Sequence, residues 1–385
     1  MSKIKYIVAL FLCFSIFSGK LYADTTTKLF INVDSPAAVV IDYKTGRILY
    51  DKNASQKRPM ASLTKVLTSI MLVENCKMDE MIEVPKNAAW IGGSTVGLKK
   101  GDKVSAESLL YGMLLPSGND CAYTVGEHIG GSIENYGVMA TKKAHDIGAI
   151  NTNIANPHGL DNENHYSTAY DMALITRYAL NNKYINEAVA TRSKTVNFGS
   201  FSKNLTNTNA LLRSYKYADG VKTGFTNGAN RCLIASATKD NERYIAVVLG
   251  AETTKIRFND AKKLLEESFN RYKTRDISNY LNFYINIPVI KGNIKSYEKK
   301  ILDNKELPLT DEEYEKIYIK QDVMQTITPP MNAGQKIGTI YAYIGDEEIY
   351  QKNIYLEEDI SCKTPFNYFF DAIKNMFSYH SKNIL

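Results

Sequence analysis

Ser62 and Lys65 stand three residues apart in "MASLTK". Residues at that spacing share a helix face, so the amine can reach the hydroxyl. A serine hydroxyl becomes a nucleophile when an adjacent base takes its proton. Lysine is a poor base as it stands: at a pKa near 10.4, about one part in a few thousand is neutral at pH 7. Burial and a neighbouring cation lower that pKa and make the amine usable. S-x-x-K occurs five times, starting at Ser2, Ser62, Ser200, Ser236 and Ser296. Only Ser62 opens a strongly apolar run, "SLTKVLTSIMLVE", where Leu63, Val66, Leu67, Ile70 and Met71 recur at helical spacing. Pro59 just upstream fits a helix start, and the wide apolar face predicts a largely buried helix.

Two further triplets bear on the same chemistry. S-x-N occurs at Ser117, Ser202, Ser268 and Ser381. Ser117-Gly118-Asn119 lies between two buried helical runs, in "LLYGMLLPSGNDCAYTVGEHIGG", and so on a loop held by buried elements. By itself it reads as a helix cap. K-T-G occurs twice, at Lys44-Thr45-Gly46 and at Lys222-Thr223-Gly224. Lys222 is a cation of the kind that would depress Lys65. His158, in "NPHGL", has no accompanying Ser/His/Asp pattern and sits in a proline-glycine loop, so a catalytic role is not expected.

The elements around these residues follow from patterning. "AAVVIDY" and "RILYD" are β-branched apolar runs, with Gly46 placed where a hairpin needs positive φ, so the first K-T-G is a turn. The second lies on a strand, "GVKTG", followed by strands "RCLIASAT" and "RYIAVVLGA" and a helix from about Ile256 to Tyr272. An early hairpin, a helical middle and late strands predict an α+β domain with helices around an antiparallel sheet. It spans 24–272. Residues 276–360 read as a small all-β domain, with strand-like "NFYINIPVI", "EKIYIKQ", "KIGTIYAYI" and "EIYQKNIYL" and a hairpin turn at Gly345-Asp346. Residues 364–380 read as an amphipathic helix whose stripe is Phe366, Phe369, Phe370, Ile373 and Phe377. Such a stripe suits a membrane interface, and docking onto the protein itself is the alternative.

The 385-residue chain is 44% hydrophobic and 23% charged, as in soluble globular proteins. Its net charge of +6 is modest and unclustered, so nucleic acid is not an expected partner. Residues 1–23 have the form of a signal peptide: Lys3 and Lys5, an apolar stretch from Ile7 to Phe17, and Leu21-Tyr22-Ala23 before Asp24. An uncleaved anchor is the alternative; either predicts an exported body. Removal takes Lys3, Lys5 and Lys20 and leaves +3. Cys13 falls in that segment, and Cys76, Cys121, Cys232 and Cys362 are scattered without a C-x-x-C or Cys/His pattern. Isolated buried thiols and no zinc site are expected.

"MASLTK", "PSGND" and "DGVKTG" in that order resemble the three active-site motifs of the serine-type D-alanyl-D-alanine carboxypeptidases, the low-molecular-mass penicillin-binding proteins. "AVVIDYKTGRILYDKNA", "NPHGLD" and "HYSTAYDMALI" resemble the flanking stretches, so the likeness covers about residues 30–272. It implies a penicillin-binding-protein/β-lactamase-like catalytic domain, with no cofactor and no metal. Ser62 would be acylated, Lys65 would be the general base and Ser117 would relay protons. Asn119 would hold the substrate's peptide carbonyl, and Lys222 would supply positive charge. Thr223 and Arg257 would bind the terminal carboxylate, and Gly224 would let the substrate pair with the strand. The N–H groups of Ser62 and Phe225 would form the oxyanion hole. The implied substrate is the peptidoglycan stem pentapeptide, with β-lactams as covalent inhibitors and a location on the periplasmic face of the cytoplasmic membrane. Phe225 stands where a histidine is common, Ala140 where an asparagine is frequent, and Cys121-Ala122 departs from the usual order after "SGND".

Three other readings share the motifs. A β-lactamase needs fast deacylation, which class A enzymes obtain from an extra glutamate, and no E-x-x-L-N stretch lies between Asn119 and Lys222. An endopeptidase on the same scaffold separates poorly by sequence. A non-catalytic wall-binding module is disfavoured by the intact Ser62, Lys65, Ser117, Asn119 and Lys222.

Overall fold

The structure is a computed structural model that describes residues 31–382, with side chains described as far as Ile373. The expected signal peptide, Cys13 and the side chain of Phe377 lie outside the described residues. The chain forms two compact units. One runs up to Asn279 and takes back Leu302–Glu315; the other holds Tyr280–Ile301 and everything described from Lys316 onward.

The first unit opens with β1 (Ala37–Asp42) and β2 (Ile48–Lys52). A 3₁₀ turn (Ala61–Thr64) leads into α1 (Lys65–Asn75). The short strands β3 (Met81–Glu83) and β4 (Lys103–Ser105) frame a long loop. There follow α2 (Ala106–Leu114), α3 (Asn119–Gly130), α4 (Ile133–Asp146), α5 (Ala169–Leu180) and α6 (Lys183–Ala190). A hairpin of β5 (Ser193–Asn197) and β6 (Ser202–Thr206) and a turn of helix, α7 (Leu211–Ser214), precede three long strands. These are β7 (Ala218–Thr226), β8 (Asn230–Lys239) and β9 (Glu242–Ala251), closed by α8 (Thr254–Arg271). The central sheet is antiparallel in the order β2-β1-β9-β8-β7. The sheet therefore joins the chain's early hairpin to its late strands, and β7, bearing the second K-T-G, is an edge.

Alternation along the strands gives each face of the sheet its own core. Val39, Ile41, Ile245, Val247 and Leu249 pack with Val66, Leu67 and Ile70 of α1 and with the other middle helices. Ala38, Val40, Tyr244, Ala246 and Val248 pack with Leu264, Leu265 and Phe269 of α8. Side-chain caps start several of the helices: Ser105, Ser132, Thr168 and Thr253 accept from N–H groups three residues on in α2, α4, α5 and α8. The Lys44-Thr45-Gly46 segment is the β1–β2 turn. Gly46 has φ +77°, Asp42 Oδ2 accepts from the Thr45 N–H and hydroxyl, and Lys44 is exposed.

After α8, β10 (Lys273–Asp276) and the short α9 (Ser278–Leu281) lead to β11 (Phe283–Pro288), which pairs with β12 (Ser296–Ile301). The chain then returns to the first unit. There β13 (Glu306–Leu309) pairs with β10, and Glu313 of α10 (Asp311–Glu315) makes a buried bidentate ion pair with Arg47 at 2.7 and 3.1 Å. Strands β14 (Ile317–Val323), β15 (Lys336–Ile344) and β16 (Glu347–Tyr355) form the second unit's three-stranded sheet. Its core includes Ile285, Ile287, Ile337, Ile340 and Ile354. Gly345-Asp346 is the β15–β16 turn. The last helix, α11 (Pro365–Lys382), leaves Phe366, Phe369 and Phe370 70%, 61% and 53% exposed.

Candidate active site

Ser62 sits in the 3₁₀ turn, one step before the α-helix that its sequence predicts it to open. In a 3₁₀ turn residues i and i+3 eclipse, so the expected Ser–Lys pairing is kept. The turn is pressed against the "NPHGLD" loop. Gly159 has φ +88°, and a Cβ there would lie 2.0 Å from the Ala61 carbonyl oxygen, so only glycine fits.

Lys65 is fully buried, and its Nζ touches three oxygens: Ser62 Oγ at 2.9 Å, Asn119 Oδ1 at 2.7 Å and the His158 carbonyl at 2.7 Å. Burial, and after it the charge of Lys222, hold the Lys65 amine well below the usual lysine range. Lys222 is also fully buried and donates to the Thr223 carbonyl at 2.8 Å. Burial first and Arg257 second bring Lys222 down to about 7. Lys222 thus acts on Lys65 in the expected sense.

Asn119 begins α3 beside Ser117, which has φ +70° and is buried. The Asn119 side chain also donates to the Gly92 carbonyl at 2.7 Å, and its backbone N–H donates to the Ser94 carbonyl at 2.7 Å. Thr223 Oγ1 lies 2.6 Å from Thr208 Oγ1. Gly224 passes so close to the 3₁₀ turn that a Cβ would meet the Met60 carbonyl at 3.0 Å and the Ser62 nitrogen at 3.2 Å. The edge strand β7 therefore runs alongside the serine. Phe225 is 52% exposed at the end of this run. Arg257 reaches in from α8 and donates to the carbonyls of Gly224 and Cys232 at 3.1 and 3.4 Å. Ser62, Lys65 and Asn119 are thus joined by direct hydrogen bonds. Lys222, Thr223 and Gly224 lie on the adjoining strand, and Arg257 is tied to that strand's carbonyl.

Several participants escape sequence reading. His158 contributes a backbone oxygen, while its ring is buried, held at about 3 by burial and then by Lys65, and used as an acceptor from the Leu160 N–H. Asp120 is buried and gathers four backbone N–H groups: Val96 at 3.0 Å, Gly97 at 2.9 Å, Leu98 at 3.1 Å and Cys121 at 3.0 Å. Asn119 and Asp120 together fasten the loop 92–98 to the start of α3. Thr208 was signalled by nothing in its surroundings. Ala140 lies in the helical core. The thiols of Cys121 and Cys232 are buried as expected, but Cys76 is half-buried and Cys362 is exposed. Among the described residues, no group of three metal-ligating side chains lies at this site.

The model of the peptidase S11 family, D-alanyl-D-alanine carboxypeptidase, matches residues 23–253. The chain belongs to this family. Peptidase S11 proteins are serine-type hydrolases, and the motifs above fall within the matched span. The model of the penicillin-binding protein 5 C-terminal domain matches residues 282–361. The carboxypeptidase DacF of Bacillus subtilis is 33% identical over 341 residues, covering 85% of this chain and 86% of its own. DacC of Escherichia coli is 32% identical over 354 residues, covering 86% and 85%. Among solved structures, penicillin-binding protein 5 of Haemophilus influenzae superposes with a TM-score of 0.74 at 28% identity, covering 86% of this chain and 98% of that one. The α+β unit with its antiparallel sheet and the C-terminal β unit are the architecture of that group, whose members are D-alanyl-D-alanine carboxypeptidases and penicillin-binding proteins of cell-wall remodelling.

Proposed function

We propose that Ser62 removes the terminal D-alanine of peptidoglycan pentapeptides through an acyl-enzyme, with Lys65 as its base. The three contacts of Lys65 carry this reading. A neutral amine has two N–H bonds and one lone pair. Asn119 Oδ1 and the His158 carbonyl only accept, so they take the two N–H bonds. The lone pair is left facing Ser62 Oγ at 2.9 Å. Burial, and after it the Lys222 charge, favour that neutral form by lowering the Lys65 pKa.

In this scheme Ser62 Oγ bonds to the carbonyl carbon of the penultimate D-alanine while Lys65 takes its proton. The oxyanion is received by the N–H groups of Ser62 and Phe225. Collapse breaks the C–N bond, and the departing D-alanine nitrogen is protonated through Ser117. Water then hydrolyses the ester. Asn119 has one amide hydrogen on Gly92 and offers the other to the substrate's peptide carbonyl. Thr223 and Arg257 receive the terminal carboxylate, Lys222 supplies positive charge to the site, and β-lactams acylate the same serine.

The aromatic stripe of α11 rests on a membrane surface, and the protein works on the outer face of the cytoplasmic membrane after export. The exposure of Phe366, Phe369 and Phe370 supports this. No helix among the described residues is long and apolar enough to cross a membrane. Mass spectrometry of products from a defined pentapeptide tests the reaction. Loss of one D-alanine is expected; cleavage of a cross-linked dimer with the terminal D-alanine retained, or no reaction, overturns it.

A further inference from the structure

Helices α1 and α3 pack together with their first residues at the active site, where Lys65 meets Asn119. Their far ends also converge. Cys76 follows the last residue of α1, His128 lies in the last turn of α3, and Glu80 stands in the turn leading to β3. The Cys76 sulfur, a Glu80 oxygen and a His128 ring nitrogen all lie within 4.8 Å of one another. His128 Nε2 is 3.0 Å from Glu80 Oε1, while Glu80 Oε2 accepts from the Lys77 N–H, which fixes the carboxylate.

We propose that Cys76, Glu80 and His128 form a binding site for a single divalent transition-metal ion, Zn²⁺ by its ligand set. Zinc takes thiolate, imidazole and carboxylate at about 2.0–2.3 Å in a tetrahedron, which places ligand atoms roughly 3–4 Å apart. The three atoms therefore need shifts of about 1 Å or less to close on one ion. Thiolate with imidazole selects zinc over the oxygen-seeking magnesium and calcium. His128 and Glu80 are 37% and 38% exposed at their side chains, so ions have a path in and water can take the fourth position. As anions, the thiolate and carboxylate repel until a cation lies between them. Spacings of 4 and 48 residues hide the set from motif reading, against the sequence expectation of no zinc site.

The ion would staple the outer ends of the two helices whose inner ends carry Lys65 and Asn119. With 11 residues in α1 at a rise of about 1.5 Å each, it lies about 16 Å from the site and has a structural role. The test uses the mature chain carrying Cys362→Ser, which removes the exposed thiol. Metal-free protein is titrated with Co²⁺ and followed by absorbance, then with Zn²⁺ by calorimetry. One equivalent of Co²⁺ with a thiolate-to-cobalt charge-transfer band, displaced by Zn²⁺, is the expected result. Cys76→Ser should abolish the band, and His128→Gln should weaken Zn²⁺ at least tenfold. Both variants should melt like the parent when metal-free, showing that they fold. Absence of the band in the parent, or a band and affinity that survive either substitution, overturns the site and leaves a surface His–Glu ion pair.

Discussion

Replacing Asp120 by asparagine keeps the shape of the side chain and removes its charge. The carboxylate receives Val96, Gly97 and Leu98 N–H groups on Oδ2, and Cys121 N–H, shared with Val96, on Oδ1. An asparagine can place its oxygen toward only one of these sets. With the oxygen on the loop side, its NH₂ faces the Cys121 N–H, a donor against a donor. Orphaning a buried donor costs about 1–3 kcal/mol, and the remaining bonds lose charge assistance worth about 1 kcal/mol. The neutral side chain is cheaper to bury, so a net of about 3 kcal/mol is expected. That is too small to unfold a whole domain and large enough to free one loop. Hydrogen exchange over residues 92–98 should accelerate about a hundredfold, since 1.4 kcal/mol is a factor of ten. Asn119 is tied to the same loop through Gly92 and Ser94, so acylation by penicillin should slow at least tenfold. Unchanged exchange of the loop would refute the idea that Asp120 fastens it. Faster exchange with unchanged acylation would refute the link from loop to site.

Three other outcomes follow from the same geometry. Lys222→Ala removes the cation that depresses Lys65, so neutral Lys65 forms at higher pH and the acid limb of the acylation–pH profile should move upward; an unmoved limb contradicts that coupling. Lys44→Ala, in an exposed turn, should change acylation little and stability by under about 0.5 kcal/mol, whereas Lys222→Ala should lose at least a hundredfold, as measured by stopped-flow labelling; equal losses would reverse the choice between the two K-T-G copies. Truncation before Pro365 should release the mature protein from lipid vesicles without altering hydrolysis of a soluble peptide, each buried aromatic being worth up to about 3 kcal/mol; continued sedimentation places the anchor elsewhere, and lost hydrolysis shows that the tail supports the enzyme itself.

What could be read from sequence was what side chains encode locally. The i,i+3 relation of Ser62 and Lys65, the burial of α1 and the turn at Gly46 all follow from short-range patterning. Strands β8 and β9 were legible because each is a largely apolar run bounded by turn residues, and β7 because the turn "FTNGAN" separates it from β8. Less was legible where the backbone does the work. The His158 carbonyl that holds Lys65 carries no side-chain signature, and three of the four N–H partners of Asp120 lie 22 to 24 residues upstream. The strand β12, "SYEKKI", escaped because it is charged and partly exposed, with only Tyr297 and Ile301 buried. The return of residues 302–315 is held by the β10–β13 pairing and by the Arg47–Glu313 pair, whose members are 266 positions apart, a separation over which periodicity says nothing.

The most direct measurement of the central claim is the site of covalent labelling. Mature protein is acylated with a labelled penicillin, digested and mapped by tandem mass spectrometry. The account predicts a single adduct on Ser62, absent in Ser62→Ala and formed far more slowly in Lys65→Ala. An adduct on Ser200, Ser236 or Ser296, or full labelling of Ser62→Ala, would contradict it.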